Sequence, residues 1–269
     1  MWPICDELKK HQAFREVWVA YLMGGAFFLL GLYQTSGYRL ERWWYFIQQD
    51  IHSYGNTLVA FLIVLGLSRL VCCEHEYGTG RIIRTSKQGH FLVWRAKIFF
   101  TIGYCAIIVL VIGLVSLLVH GGQIGFRDAL APASETVLFY GAVPLTNLGY
   151  CIAQYVFLFL AAIYFSGFVL IIAQATQRTA LTLFLCGGSY IALLGYHFVG
   201  HLWVQGTPLY PITELLFRFS FMGFMSLESF NWGFSCEWGQ IWKPITVVIL
   251  LSGLEFVLSW LLWQRRANK

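Results

Sequence analysis

The sequence predicts an all-α polytopic membrane protein with six transmembrane helices. Three observations predict it. Only 12% of the 269 residues are charged and 58% are hydrophobic, against roughly 25% charged in an average soluble protein. Six apolar runs approach or reach the roughly 20 residues that carry a helix across the hydrocarbon core. The Lys and Arg residues between those runs fall unevenly, and the unevenness sorts the loops into two sides.

In chain order, residues 1–16 hold Asp6, Glu7, Lys9, Lys10, Arg15 and Glu16 among scattered apolar positions, which fits a short helix along the membrane surface. The first apolar run, 17–33, starts only after these charges and reads as a retained first span, not a cleaved signal. Gly24 and Gly31 lie a heptad apart on it, a spacing that admits a close helix neighbour but also suits ordinary glycine content. A polar loop with Trp43, Trp44 and Tyr45 leads to span two, 57–72. Span three is 98–119, span four 151–173, span five 181–204 and span six 244–262. Residues 205–243 are aromatic yet hold Glu214, Arg218, Glu228 and Glu237, so they fit an outer loop that dips partway into the bilayer. Its Phe219, Phe221, Phe224, Phe230, Trp232 and Phe234 read as an interfacial belt, or as a guide for an apolar substrate. The whole chain is one transmembrane domain.

Six spans put both termini on one side, with Lys9, Lys10, Arg15, Arg69, Arg81, Arg84, Lys87, Arg95, Lys97, Arg178, Arg265, Arg266 and Lys269. The other side keeps Arg39, Arg42, Arg127, Arg218 and Lys243. Thirteen against five makes the first side cytoplasmic, and the chain is expected to be a multi-pass protein of the plasma membrane. The net charge of +5 points to neither a nucleic-acid partner nor an acidic substrate; the lipid bilayer is the expected surrounding. The seven cysteines have no C-x-x-C pair and no zinc or disulfide framework spacing. Cys151 and Cys236 fall on the outer side, where a disulfide stays open, with two separate thiols the favoured reading.

The polar stretch 73–97 separates spans two and three. It carries Glu74, Glu76, Arg81, Arg84, Lys87, Arg95 and Lys97 and lies outside hydrocarbon. Residues 81–86 have helical potential, and Lys87-Gln88-Gly89 is a turn signal. The bland reading is a basic loop that only fixes topology. Glu74-x-x-x-Gly78-Thr79, then Ile82, Ile83, Thr85, Ser86, Lys87, Gly89 and Ala96-Lys97, resembles the permease subunits of ABC-2 type transporters of the kind common in Gram-positive bacteria. Gly80 and His90 depart from that pattern, where the family carries a larger apolar residue and often Arg.

The resemblance implies that 73–97 contains a coupling helix docking on a separate ABC ATPase subunit. Glu74 and Glu76 would sit at the entry of that helix, Gly78 and Thr79 would belong to the ATPase-coupling set, Gly89 would serve the turn, and Arg81, Arg84 and Lys87 would lie against acidic residues of the partner. It also implies a second permease copy or a paralogue, and export of an apolar or amphipathic peptide, lipid or drug, as in immunity to an antimicrobial peptide. The sequence has no G-x-x-x-x-G-K-[ST] loop. ATP and Mg would therefore sit on the partner, with no cofactor bound by this chain.

Two other positions carry chemistry. His197 and His201 are four residues apart near the outer end of span five, a spacing that suits zinc, but H-F-V-G-H lacks the Glu of H-E-x-x-H. Interfacial histidines are the favoured reading; an intramembrane metal-dependent enzyme is the alternative. Glu255 lies inside span six, where a carboxylate costs about 2.5–3.5 kcal/mol on insertion scales. It lines a cavity or permease–permease contact, or sits near enough to the inner interface to be solvated. A membrane sensor or scaffold that recruits a partner without transport is the third class of function.

Overall fold

Long apolar runs without internal proline become long helices, because every backbone polar group can then be satisfied inside its own segment. The computed structural model describes residues 18, 21–22, 24–26, 29, 55–77, 89–124, 126, 129–132, 145–225 and 242–267. Among them every regular element is helical. Helix α1 is Asn56–Glu76, α2 Gly89–Ile124, α3 Asn147–Thr176 and α4 Thr179–Gly195. A π-helical turn, Tyr196–Gly200, continues α4 into α5, His201–Val204. Helices α6, Tyr210–Arg218, and α7, Phe221–Phe224, precede α8, Trp242–Ala267. Four stretches are long and apolar enough to cross a membrane: α1, Phe91–Val119 of α2, α3, and Ile245–Arg265 of α8. The described residues of the expected first span, from Trp18 to Leu29, are also helical.

The helices overrun the expected spans. Helix α1 continues past 72 to Glu76, and α2 starts at Gly89, not at 98. Gly89, expected in a turn, is the first residue of α2. Gly121 and Gly122, past the expected end of span three, also lie in α2. A Cβ on Gly121 would stand 2.6 Å from Phe126 Cζ, so the glycine lets that ring fold back on the helix. Helix formation needs only satisfied backbone, so polar residues extend a helix past its apolar part.

Helix α1 is the shaft of the bundle. Of its apolar window 78% is buried, against 17% for α8, which lies at the periphery. The core joins Ile63 and Leu67 of α1 to Cys105 and Ile108 of α2 and to Leu158, Ala161 and Ala162 of α3. Tyr104 of α2 donates its hydroxyl to the Leu62 carbonyl at 2.8 Å. Its ring crosses α1 at Gly66, where a Cβ would stand 2.7 Å from Tyr104 Cζ. The Tyr21 hydroxyl lies 2.5 Å from that of Tyr104 and brings the N-terminal helical residues into the same contact. Gly24 does meet a close neighbour, since a Cβ there would lie 2.6 Å from Leu58 Cδ1. Gly31 lies outside the described residues, as do Trp43, Trp44 and Tyr45.

Helices α3 and α4 are joined by two residues only. Gln177 takes a left-handed backbone, φ 57°, and its N–H bonds the Ala173 carbonyl at 2.9 Å, which closes α3. So short a connection makes α3 and α4 antiparallel neighbours.

Part of the expected outer segment folds back into the bundle. Pro211 sits in the first turn of α6, where its missing N–H costs nothing. Phe221, Met222, Phe224 and Met225 are all buried. The Phe221 ring lies 4.9 Å from Phe165 of α3 and 6.1 Å from Tyr190 of α4. Asn56 Nδ2 donates to Met222 Sδ at 3.5 Å, and Tyr164 donates its hydroxyl to the Phe219 carbonyl at 2.8 Å. The return is tight at Gly223, where a Cβ would stand 2.7 Å from the Phe217 carbonyl oxygen. Phe221 and Phe224 are therefore packed inside, not spread in a belt. Glu228, Phe230, Trp232, Phe234, Cys236 and Glu237 lie outside the described residues.

Adding one methyl at Gly66 forces Tyr104 off the Leu62 carbonyl. Gly66→Ala is expected to cost about 1–3 kcal/mol. Thermal unfolding of the purified protein in detergent, against wild type, measures it.

Candidate functional site

Five consecutive residues at the end of α1, Cys72 to Glu76, reach every other long helical segment. Cys72 Sγ points at the Ala173 carbonyl of α3 at 3.8 Å and lies 3.5 Å from Thr182 Oγ1 of α4. Cys73 packs against Tyr21 of the N-terminal segment. Glu74 pairs with Lys97 of α2, Oε1 to Nζ, at 3.0 Å. The His75 ring meets the edge of Trp263 of α8 at 6.4 Å. Glu76 Oε1 accepts the Thr179 N–H of α4 at 2.7 Å. A helix places successive side chains about 100° apart, so five in a row cover the whole circumference. At the centre of a bundle that means one contact to each neighbour.

The Glu74–Lys97 pair is sealed, with side-chain exposures of 1% and 3%. Lys97 Nζ also donates to the Leu70 carbonyl at 3.5 Å. In a low-dielectric setting such a pair holds firmly once formed, because separating it strands two charges. Glu76 is exposed but does a cap's work. Arg178, the residue before α4, makes no side-chain cap, and the Glu76 carboxylate supplies the missing acceptor from another helix. Negative charge there is also favoured by the helix dipole.

The expected coupling residues divide accordingly. Glu74 and Glu76 belong to α1 itself: Glu74 turns inward to Lys97, and the helix N-terminus that Glu76 serves is that of α4. Gly89 opens α2. Gly78, Thr79, Arg81, Arg84 and Lys87 lie outside the described residues. In the sequence Lys97 stands in the charged run and in the permease-like pattern, and neither shows its partner. Its role is legible only in pairing, as a buried cation of α2 opposite a carboxylate in the last turn of α1.

Beside this end, Trp94 and Trp260 lie 4.9 Å apart with Phe91 against both, and Arg95 stacks over Phe91 at 5.4 Å. The rings bridge α2 and α8 where the apolar stretches give way to charge.

At the opposite end, His197 lies in the π-helical turn with its ring stacked on Phe217, centroids 5.5 Å apart and 8° from parallel. His201 opens α5. Among the described residues no group of three or more His, Cys, Asp or Glu could hold a metal ion. Glu214 pairs with Arg218 at 3.2 Å and accepts from the Tyr196 hydroxyl at 3.5 Å. Cys151 is buried under Leu117, Ala129, Leu148 and Tyr155.

Glu255 stands midway along α8, against α3. A Cβ on Gly167 would lie 2.5 Å from its Oε2. That oxygen is buried and has no hydrogen-bond partner among the described residues, and the same holds for Ser252 Oγ one turn away.

No protein-family model matches the chain, and neither a curated protein nor a solved structure does.

Two substitutions test the junction. Glu74→Gln strands Lys97 and is expected to cost about 3–5 kcal/mol, whereas Glu74→Leu combined with Lys97→Leu costs much less; unfolding curves of the three proteins compare them. Glu76→Ala is expected to speed amide exchange at Thr179 roughly tenfold or more, as befits loss of a charged hydrogen bond, with the α1 amides unchanged. Hydrogen–deuterium exchange with fragmentation reads both.

Proposed function

We propose that the chain is the membrane subunit of an ABC transporter of the ABC-2 permease type. In this reading the segment 78–88 is the coupling element that receives a separate ATPase subunit. The observation that carries the proposal is the reach of Cys72 to Glu76. The residues directly before that segment touch α2, α3, α4, α8 and the N-terminal helix. A displacement of the segment therefore arrives at all of them, through an ion pair, a charged hydrogen bond and packed sulfur and ring contacts.

The rest of the reading follows from charge. Six spans, counting 17–33 and 179–204 with the four long apolar helices, put both termini on the side rich in Lys and Arg. That side becomes the cytoplasm of a cell bounded by its plasma membrane. Arg81, Arg84 and Lys87 then offer charge-assisted contacts to an acidic groove on the ATPase, which supplies ATP and Mg. The peripheral α8, with exposed Leu250, Leu254, Val257 and Leu261, leaves an apolar face for a second permease copy or for lipid. The cargo is apolar or amphipathic and moves outward.

Co-purification from native membranes in mild detergent tests the proposal. A Walker-motif ATPase is expected to accompany the wild-type chain and to be lost from Arg81→Glu combined with Arg84→Glu, with membrane levels equal. A chain that purifies alone, or with a partner indifferent to both substitutions, overturns it.

A further inference from the structure

A carboxylate in the middle of an apolar helix needs a partner, and Glu255 finds none among the described residues. Its Oε2 is buried and unbonded, and no Lys, Arg or His among the described residues pairs with it. The residue as a whole is only half-buried. Ser252, three residues earlier on the same face of α8, is buried and keeps its hydroxyl unbonded. Helix serines commonly return that hydrogen to their own backbone. Here it stays available.

The wall across from these groups is built to admit them. Gly167 of α3 is the residue whose missing side chain leaves room for the carboxylate. Tyr164, one turn before it, has its hydroxyl committed to the Phe219 carbonyl at 2.8 Å. Its ring meets Phe224 edge-on at 5.6 Å, so the returning α6–α7 segment closes over this level of the bundle. A tyrosine ring offers a cation its face. The surroundings are apolar: Val248 and Leu251 precede the pair on α8, and Phe256 follows.

We propose that Glu255, Ser252 and the ring of Tyr164 form a binding site within the membrane for the ammonium group of a cationic amphiphile. One carboxylate and one hydroxyl are too few oxygens for a hard metal cation, which takes about six or more. An ammonium group is satisfied by them. It donates to the carboxylate and to Ser252, and its alkyl chain lies along the apolar helices. Calling this ligand the transported substrate rests on the permease reading; the binding itself does not.

The test uses the full chain in phosphatidylcholine nanodiscs. Dicyclohexylcarbodiimide modifies carboxyl groups in apolar surroundings, and peptide mass spectrometry locates the adduct, with Glu255→Gln confirming its position. Dodecylammonium is expected to lower labelling of Glu255 several-fold. Dodecanol, sodium and potassium leave it unchanged, and dodecyltrimethylammonium, which has no N–H to donate, protects less. Ser252→Ala, which keeps the carboxylate, should raise the dodecylammonium concentration needed by about fivefold, the loss of one hydrogen bond. Equal protection by the trimethyl compound or by dodecanol overturns the proposal, because membrane charge or partitioning then explains it. Protection by sodium or potassium alone overturns it in favour of an inorganic ion, and a Glu255 that labels only after denaturation overturns it as inaccessible. Protection by dodecylammonium in a chain that recruits no ATPase would keep the site and discard the permease reading; recruitment without protection would do the reverse.

Discussion

The ion pair between Glu74 and Lys97 is the constraint on which the rest of this bundle depends. It fixes the last turn of α1 against α2 at 3.0 Å, out of reach of water. Two charges withdrawn together from solvent are costly to assemble, and replacing both with apolar residues would stabilise many folds as well or better. What the pair supplies is register. With Glu74 held on α2, Cys72 must face α3 and α4, His75 must face α8, and Glu76 falls at the start of α4. Helical geometry then leaves α1 no freedom to rotate or slide without breaking several contacts at once.

At its opposite end α1 is held by packing instead of an ion pair. There the returning Phe221–Met225 stretch is wedged among Asn56, Phe165 and Tyr190. Between the two ends, Tyr104 crosses α1 over Gly66 and joins the Tyr21 hydroxyl. Helix α1 is thus gripped at both ends and in the middle, while α8 keeps a largely open apolar flank. Such a division suits a body that passes displacement along a stiff shaft and exposes a second surface to lipid or to another copy.

The sequence made the helical class and most long helices legible, because apolar length needs no knowledge of neighbours. It also marked 73–97 as the polar centre of the chain and Glu255 as a carboxylate out of place. It did not show where the helices end. Hydropathy windows end a span where charge begins, whereas α1 runs on through Glu74 and Glu76 because their carboxylates find partners on other helices. Gly89 carried a turn signal, yet it opens a helix, since glycine permits a turn without requiring one. The burial of Phe221 and Phe224 was equally hidden: aromatic residues beside acidic ones read as interface until Gly223 and Tyr164 are seen to guide the chain back inside. Gly24, by contrast, meets the close neighbour that its residue type admits.

The central claim is that force or signal enters at the segment joining α1 and α2 and spreads through Cys72 to Glu76. A photo-crosslinking amino acid in place of Ile83, activated in native membranes, tests it most directly. The account predicts an adduct with a soluble ATP-binding subunit, whose yield changes when ATP is trapped unhydrolysed. Adducts with lipid alone, or with a partner that ignores the nucleotide, would contradict it.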